Sequence, residues 1–352
     1  MPPPSSQHGP ASSPDFLGKY QGPVQDALRD RLGGSPPPIG TMLRYHMGWE
    51  SPEGESQEFA AGKRLRPALC LFTCEAVGGG IEDALPAAVA LELIHNFSLI
   101  HDDIQDQDLE RHGRGTVWSI WGKPSGVVAG NALRTVADAT LYQLRETGVT
   151  TAAALEVVQT LTGRCLELVE GQRMDLNFES RRDVGPDEYL DMVSRKTGAL
   201  VEAAMHMGAL LGSASPGQVA RLARCGRLLG LTFQARDDVL GIWGDPVLMG
   251  KATGADIRRR KKSLPVVFGF AGATGPERAR LDQIYSSEDE MKESAVADVM
   301  GILDRIGAES YAQSVAEEKG ALAINEARDA DITEEALQDL HDLAHFFAHR
   351  DH

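Results

Sequence analysis

The chain has 352 residues, 42% of them hydrophobic, and a formal net charge of −16 from 51 acidic and 35 basic side chains. That length leaves room for one large domain or two, with apolar material for a sizeable core. The acidic balance argues against sequence-independent binding to nucleic acid or to an anionic membrane surface, since both select for basic patches. A phosphorylated substrate stays open, because metal ions bridge anions.

Residues 1–15 are Pro- and Ser-rich with almost no bulky apolar side chains. Burial cannot offset the ordering entropy of such a segment, so residues 1–18 are expected to form a disordered tail. It is either dispensable or a docking segment for a partner. Gly34-Ser35-Pro36-Pro37-Pro38 breaks the chain again, and the polar, acidic stretch 50–58 reads as a surface loop. Beyond it, residues 65–77, 83–101, 124–146, 151–174, 187–212 and 216–243 carry apolar positions at three- and four-residue spacing, the helical period. Gly78-Gly79-Gly80, Gly113, Gly115, Gly148 and Gly185-Pro186 fall between them. Leu264 to Phe270 is the one short run that reads as strand or helix, and Pro265 suits a first helical turn equally well. The expected fold is all-α, with residues 19–352 forming a single large helical bundle around a central cavity. Cys70, Cys74, Cys165 and Cys225 are too scattered for a zinc site and read as buried thiols. No apolar run reaches the length of a bilayer span and no signal peptide is evident, so the expected location is cytoplasmic, without stable membrane insertion.

Leu91 to Ile100 is strongly apolar and runs straight into Asp102-Asp103-Ile104-Gln105-Asp106. Residues 102 and 106 share one helix face. Two like charges about 4 Å apart repel by roughly 4 kcal/mol at an effective dielectric near 20. The helix C-terminus is also the unfavourable end for anions. Such a cluster is either a solvated helix end or a cation site, and carboxylate oxygens from one turn suit Mg²⁺, or alternatively Mn²⁺. A second apolar helix, from Leu228, ends in Asp237-Asp238. Two such helices facing each other would hold metal, and the metal a polyphosphate. Basic residues punctuate segment ends nearby: Lys63, Arg64, Arg66, Arg111, Lys196, Lys251 and Arg258 to Lys262. They are placed to contact phosphate oxygens.

From about residue 40 to 320 the chain resembles the trans-isoprenyl diphosphate synthases (polyprenyl synthetases). Gly62-Lys63-Arg64-Leu65-Arg66-Pro67, Asp102-Asp103-Ile104-Gln105-Asp106, Gly171-Gln172, Lys196-Thr197, Phe233-Gln234 with Asp237-Asp238, and Gly250-Lys251 with Asp256 and Lys261 follow its motifs in order. The resemblance implies an isoprenoid synthase-like fold and a homodimer. It implies that Asp102, Asp103, Asp106, Asp237 and Asp238 hold Mg²⁺. Lys63, Arg66 and His95 would bind isopentenyl diphosphate. Arg111, Lys251 and Lys261 would contact the allylic diphosphate, and Gln172, Lys196, Thr197, Phe233 and Gln234 would line the substrate site and steady the cation. His112 stands in this set where the family usually has a second arginine. Gly241 stands where the second motif usually ends in a third aspartate.

The implied reaction is metal-assisted ionisation of an allylic diphosphate, attack by isopentenyl diphosphate on the cation, and proton loss. Asp102, Asp103, Asp106, Lys196 and Asp237 would carry it. Phe97 and Ser98, just below Asp102, are the expected chain-length positions. A ring at 97 suggests a C15 to C20 product, with C20 favoured. Two alternatives use the same residues differently: a class I terpene synthase, which has no use for Lys63, Arg66 and His95 together, and an inactive regulatory subunit of a heteromeric synthase.

Overall fold

The computed structural model describes residues 14–351 apart from 60, 61, 63, 250, 251 and 288. Helices dominate. After a 3-10 turn at Asp15–Tyr20 come α1 (Gln21–Gly33), α2 (Ile39–His46), α3 (Leu65–Ala76) and α4 (Ile81–Gln105). The strands β1 (Glu110–Arg111) and β2 (Arg114–Gly115) make a two-residue antiparallel hairpin. Then follow α5 (Val117–Trp121), α6 (Lys123–Leu141), α7 (Thr151–Glu179), α8 (Pro186–Val193), α9 (Ala199–Leu211), α10 (Pro216–Trp243), α11 (Pro246–Met249), α12 (Ala255–Arg258), α13 (Leu264–Gly272), α14 (Gly275–Ser286), α15 (Glu293–Arg305), α16 (Ala308–Arg328) and α17 (Glu334–His349).

The chain divides into two compact units. One holds Asp15–Cys165 and Ala203–Ala223; the other holds Leu166–Glu202 and Arg224–His352. In the first, α4 packs against α3, α6 and α1. It is buried on nearly every side, with Leu91, Leu93 and Ile94 fully enclosed. Small residues set this packing. A Cβ at Gly130 of α6 would lie 2.3 Å from His101 Nε2, and one at Gly126 2.8 Å from Ile104 Cδ1, so two glycines one turn apart let α6 approach α4 closely. In the second unit, Phe178, Tyr189, Leu231, Val239, Leu264, Val267, Ala312 and Ala316 form one core cluster, and a second gathers around Ile242, Ile257, Val299 and Leu303.

Leu264–Gly272, which the sequence left open between strand and helix, is a helix: Ser263 is extended at its N-cap and Pro265 occupies the first turn, where a missing N–H costs nothing. The fold departs from the sequence-based expectation elsewhere. The stretch 187–212 is two helices joined by a π-helical turn at Ser194–Gly198. Four helices from residue 275 onward have no counterpart in the sequence reading; in α16 the buried positions are mostly alanine, which gives little apolar contrast. Leu17 and Tyr20 are buried, so packing begins before residue 19; residues 1–13 lie outside the described part of the chain. By length and composition α4 could cross a bilayer, with a mean hydropathy of 1.3 over 18 residues, but 67% of that window is buried inside the fold. All four cysteines are free, buried thiols.

Candidate active site

Asp102 and Asp103 lie in the last turn of α4, and Asp106 is its C-cap, with its N–H donating to the Asp102 carbonyl at 2.8 Å. The three carboxylates part company. Asp102 is half-buried and Asp106 exposed, one turn apart on one face. Asp103 is 2% exposed and turned inward. Arg111 Nε and Nη2 both donate to its Oδ1, at 2.9 and 2.6 Å. Burial pushes the Asp103 carboxyl up, and the Arg111 bonds oppose that push. The β1–β2 hairpin explains why Arg111 reaches. His112 and Gly113 both take positive φ, 52° and 71°, which reverses the chain directly after Arg111. That turn leaves the His112 side chain exposed.

Behind these carboxylates α4 carries a polar stripe. Arg66 Nη1 donates to His95 Nε2 at 3.1 Å, so that nitrogen carries the lone pair and the ring is neutral. Burial, together with the Arg66 and Arg111 charges, drives the His95 imidazole well below its ordinary range. One residue on, Asn96 Nδ2 donates to Glu92 Oε1 at 3.1 Å and to the Glu92 carbonyl at 2.8 Å. Asn96 Oδ1 therefore faces His46 Nε2, 3.1 Å away, which donates to it. Burial raises the Glu92 carboxyl while the Arg66 charge pulls it back. His46 falls to about 3, through burial and the charge of Arg111. The result is a linked base for the Arg66–His95 pair: His46, Asn96 and Glu92. Sequence reading missed all three. The signal was present, since Glu92 and Asn96 interrupt an otherwise apolar helix at four-residue spacing.

Phe97 is half-buried, and its ring meets His101 edge-on at 4.8 Å. Being five residues from Asp102, it points about 140° around the helix from it. Ser98, a turn below Asp102 on nearly the same face, is buried and donates to the His95 carbonyl at 2.8 Å.

The second carboxylate pair is also divided. Asp238 is fully buried. Its Oδ2 accepts from Tyr189 OH at 2.5 Å and from Leu264 N–H at 3.0 Å, and its Oδ1 from Gln234 Nε2 at 3.0 Å. Desolvation lifts its carboxyl to about 6, against the pull of the Lys261 charge. Asp237, by contrast, keeps 42% of its side chain exposed and meets Arg350 Nη2 at 2.9 Å. The Arg350 guanidinium lies 4.0 Å over the Phe233 ring, so the end of the chain rests on this motif. Nothing in the sequence pointed to Arg350 or Tyr189.

The π-turn brings the mid-chain residues together. Thr197 Oγ1 donates to Gln234 Oε1 at 3.2 Å, and Lys196 Nζ meets Asp175 Oδ2 at 2.6 Å. Gln172 is buried nearby on α7. Three glycines make the approach feasible. A Cβ at Gly171 would sit 2.4 Å from Lys196 N, and one at Gly230 2.8 Å from Gly198 Cα. Lys261 Nζ lies 3.6 Å from Asp256 Oδ2 and 3.9 Å from Asp238 Oδ1. Lys63 and Lys251 fall outside the described residues.

Among the described residues no three His, Cys, Asp or Glu side chains converge on one point. Asp102 and Asp106 at the end of α4, and separately Asp237 on α10, keep solvent access and offer hard oxygen donors of the kind a divalent cation takes. Asp103 gives Oδ1 to Arg111, and Asp238 gives both of its oxygens to protein partners. They hold Arg111 and the Tyr189–Gln234 cluster in place.

The model of the polyprenyl synthetase family matches residues 56–303. Two relatives from Mycobacterium tuberculosis are a (2E,6E)-farnesyl diphosphate synthase, 36% identical and covering 93% of this chain and 90% of that one, and a geranylgeranyl diphosphate synthase, 38% identical and covering 83% and 82%. A solved polyprenyl synthetase from Streptomyces coelicolor A3(2) superimposes with a TM-score of 0.88 at 36% identity, covering 94% of this chain and 98% of that one. The ordered motifs, the helical fold and these matches together place the chain in the polyprenyl synthetase family.

Proposed function

We propose that the protein is a short-chain trans-prenyltransferase that condenses isopentenyl diphosphate with an allylic diphosphate to a C15 to C20 product, with C20 favoured. The carrying observation is the Arg66–His95 pair and its buried base. A cationic donor locked against a neutral histidine is a diphosphate-binding element, which a cyclase acting on one prenyl diphosphate does not need. Arg66 and His95, with Lys63, hold the diphosphate of isopentenyl diphosphate. Arg111, fixed by Asp103, takes the allylic diphosphate, assisted by Lys251 and Lys261. Asp102, Asp106 and Asp237 would hold magnesium, which when bound neutralises the departing diphosphate. Thr197, Gln234 and the carbonyls of the π-turn direct oxygen atoms that stabilise positive charge. Phe97 limits tail growth, with its ring fixed by His101. The retained aspartates of both motifs favour an active enzyme over a regulatory subunit.

The protein works as a homodimer in this reading. Support comes from exposed apolar residues on two helices: Val127 and Val128 of α6, and Leu155, Val158, Leu166 and Val169 of α7. The deciding experiment incubates the purified protein with magnesium, isopentenyl diphosphate and dimethylallyl, geranyl or farnesyl diphosphate, and weighs the products. Elongation to C15 or C20 is expected. Cyclised hydrocarbon, or no elongation from any primer, would reject the proposal.

A further inference from the structure

The π-turn at Ser194–Gly198 presents Thr197 to Gln234. Such a turn fits one more residue into a helix than the regular ladder takes, so it persists only where surrounding contacts favour it. Arg227 of α10 makes those contacts. Its Nη1 donates to Ser194 Oγ at 2.9 Å and reaches the Ser194 carbonyl at 3.3 Å, at the first residue of the turn. Nη1 and Nη2 also fork onto Glu167 Oε1 and Oε2 of α7, at 2.8 and 3.0 Å. Nε donates to Glu202 Oε2 of α9. One guanidinium thus ties α7, α9 and α10 to the start of the turn. Gln234 lies seven residues beyond Arg227, two turns along the same face of α10. Between them the backbones nearly touch: a Cβ at Gly226 would lie 2.6 Å from the Val201 carbonyl oxygen, and one at Gly230 2.8 Å from Gly198 Cα. The Arg227, Glu167 and Glu202 side chains keep only 23, 18 and 10% of their surface exposed. Charges so buried give up much of their hydration, and such clusters add little net stability over apolar side chains of similar volume. What this one supplies is geometry.

From this geometry we infer that Arg227 is a positioning residue for the ionisation of the allylic diphosphate. It fixes the π-turn at Ser194, so that Thr197 stays on Gln234 and the turn carbonyls keep their direction toward the forming cation. Its donors are taken up by Glu167, Glu202 and Ser194, so it acts through the turn and not on the substrate. The inference rests on the cation-stabilising role proposed for Thr197, Gln234 and the turn carbonyls.

The test is Arg227→Lys in the full-length protein with magnesium. Lysine keeps a positive charge between Glu167 and Glu202 and loses the planar fork that also reaches Ser194. Single-turnover condensation of geranyl diphosphate with isopentenyl diphosphate, per folded protein, should slow by roughly 10- to 100-fold. The KM of each substrate should stay within about threefold of wild type, because Arg66, His95 and Arg111 are untouched. Backbone amides of residues 194–199 should exchange with deuterium faster, while those of α13 keep their wild-type rates. Should Arg227→Lys fail to fold, the triple variant Glu167→Gln, Glu202→Gln, Arg227→Gln removes the three charges together and should show the same losses. A wild-type single-turnover rate, a raised KM at unchanged rate, or unchanged exchange over 194–199 would each overturn the inference and leave the proposed function standing. A wild-type protein that elongates no primer would overturn both.

Discussion

His46→Gln isolates what the buried base of the Arg66–His95 pair contributes. The imidazole of His46 titrates near 3 in the folded protein, against about 6.5 when exposed. Between those values the unfolded chain binds the proton and the folded chain does not, so stability falls as pH falls through 6.5 toward 3. One pKa unit is worth about 1.4 kcal/mol. From pH 8 to pH 5 this one residue therefore removes about 2 kcal/mol of folding stability. His46 keeps some solvent access, and water around the imidazolium lowers that figure toward ~1 kcal/mol. Glutamine preserves an N–H donor toward Asn96 Oδ1 and cannot be protonated. Urea unfolding at pH 8, 7, 6 and 5, at one protein concentration, measures the effect. The variant should lose about 1 to 2 kcal/mol less than the wild type between pH 8 and pH 5. His95 titrates in the same direction, so the remaining slope should shrink further in the His46→Gln, His95→Gln double variant. Parallel pH profiles for wild type and His46→Gln would refute the assignment of His46 as a neutral, buried donor.

Asp103→Asn should leave Arg111 without its carboxylate. The KM for the allylic diphosphate should rise by on the order of tenfold, the loss of a charge-assisted pair, with a smaller effect on isopentenyl diphosphate; equal changes for both substrates would contradict the division of roles. Gly171→Ala puts a methyl 2.4 Å from Lys196 N and should cost roughly 1 to 3 kcal/mol in denaturant unfolding, together with a fall in turnover. Phe97→Ala should lengthen the product, read by mass spectrometry of the prenyl alcohols; an unchanged spectrum would remove Phe97 as the limit on tail growth.

The ends of α4 and α10 were legible in the sequence because each is an apolar helix that stops at paired aspartates, and a merely solvated helix end has no need of so apolar a run before it. Their division of labour was not legible. Asp102 and Asp103 are neighbours with the same chemistry, yet only the helix rotation and the hairpin turn at His112 decide that Asp103 faces Arg111. Tertiary partners are invisible for the same reason. Tyr189 reaches Asp238 and Arg350 reaches Asp237 from far along the chain, and no spacing rule links them. The π-turn at Ser194–Gly198 escaped because 187–212 keeps its helical period on both sides of one inserted residue. Among the helices after residue 275, α16 buries mainly alanine, and a weak apolar contrast gives a weak periodic signal.

The glycines at 171, 198 and 230 carry a consequence for how this protein can diversify. Where three backbones press together with no side chain between them, mutation has almost nothing to exchange. At 171 and 230 any heritable change swaps a hydrogen for at least a methyl and meets neighbouring backbone, while a Cβ at 198 would make ordinary contact with Arg227. The region around the π-turn is therefore held in shape. In the proposed reading, new products would arise instead through positions such as Phe97 on α4, which is only half-buried. Close backbone packing fixes one part of the fold, and an open side chain leaves another free to drift.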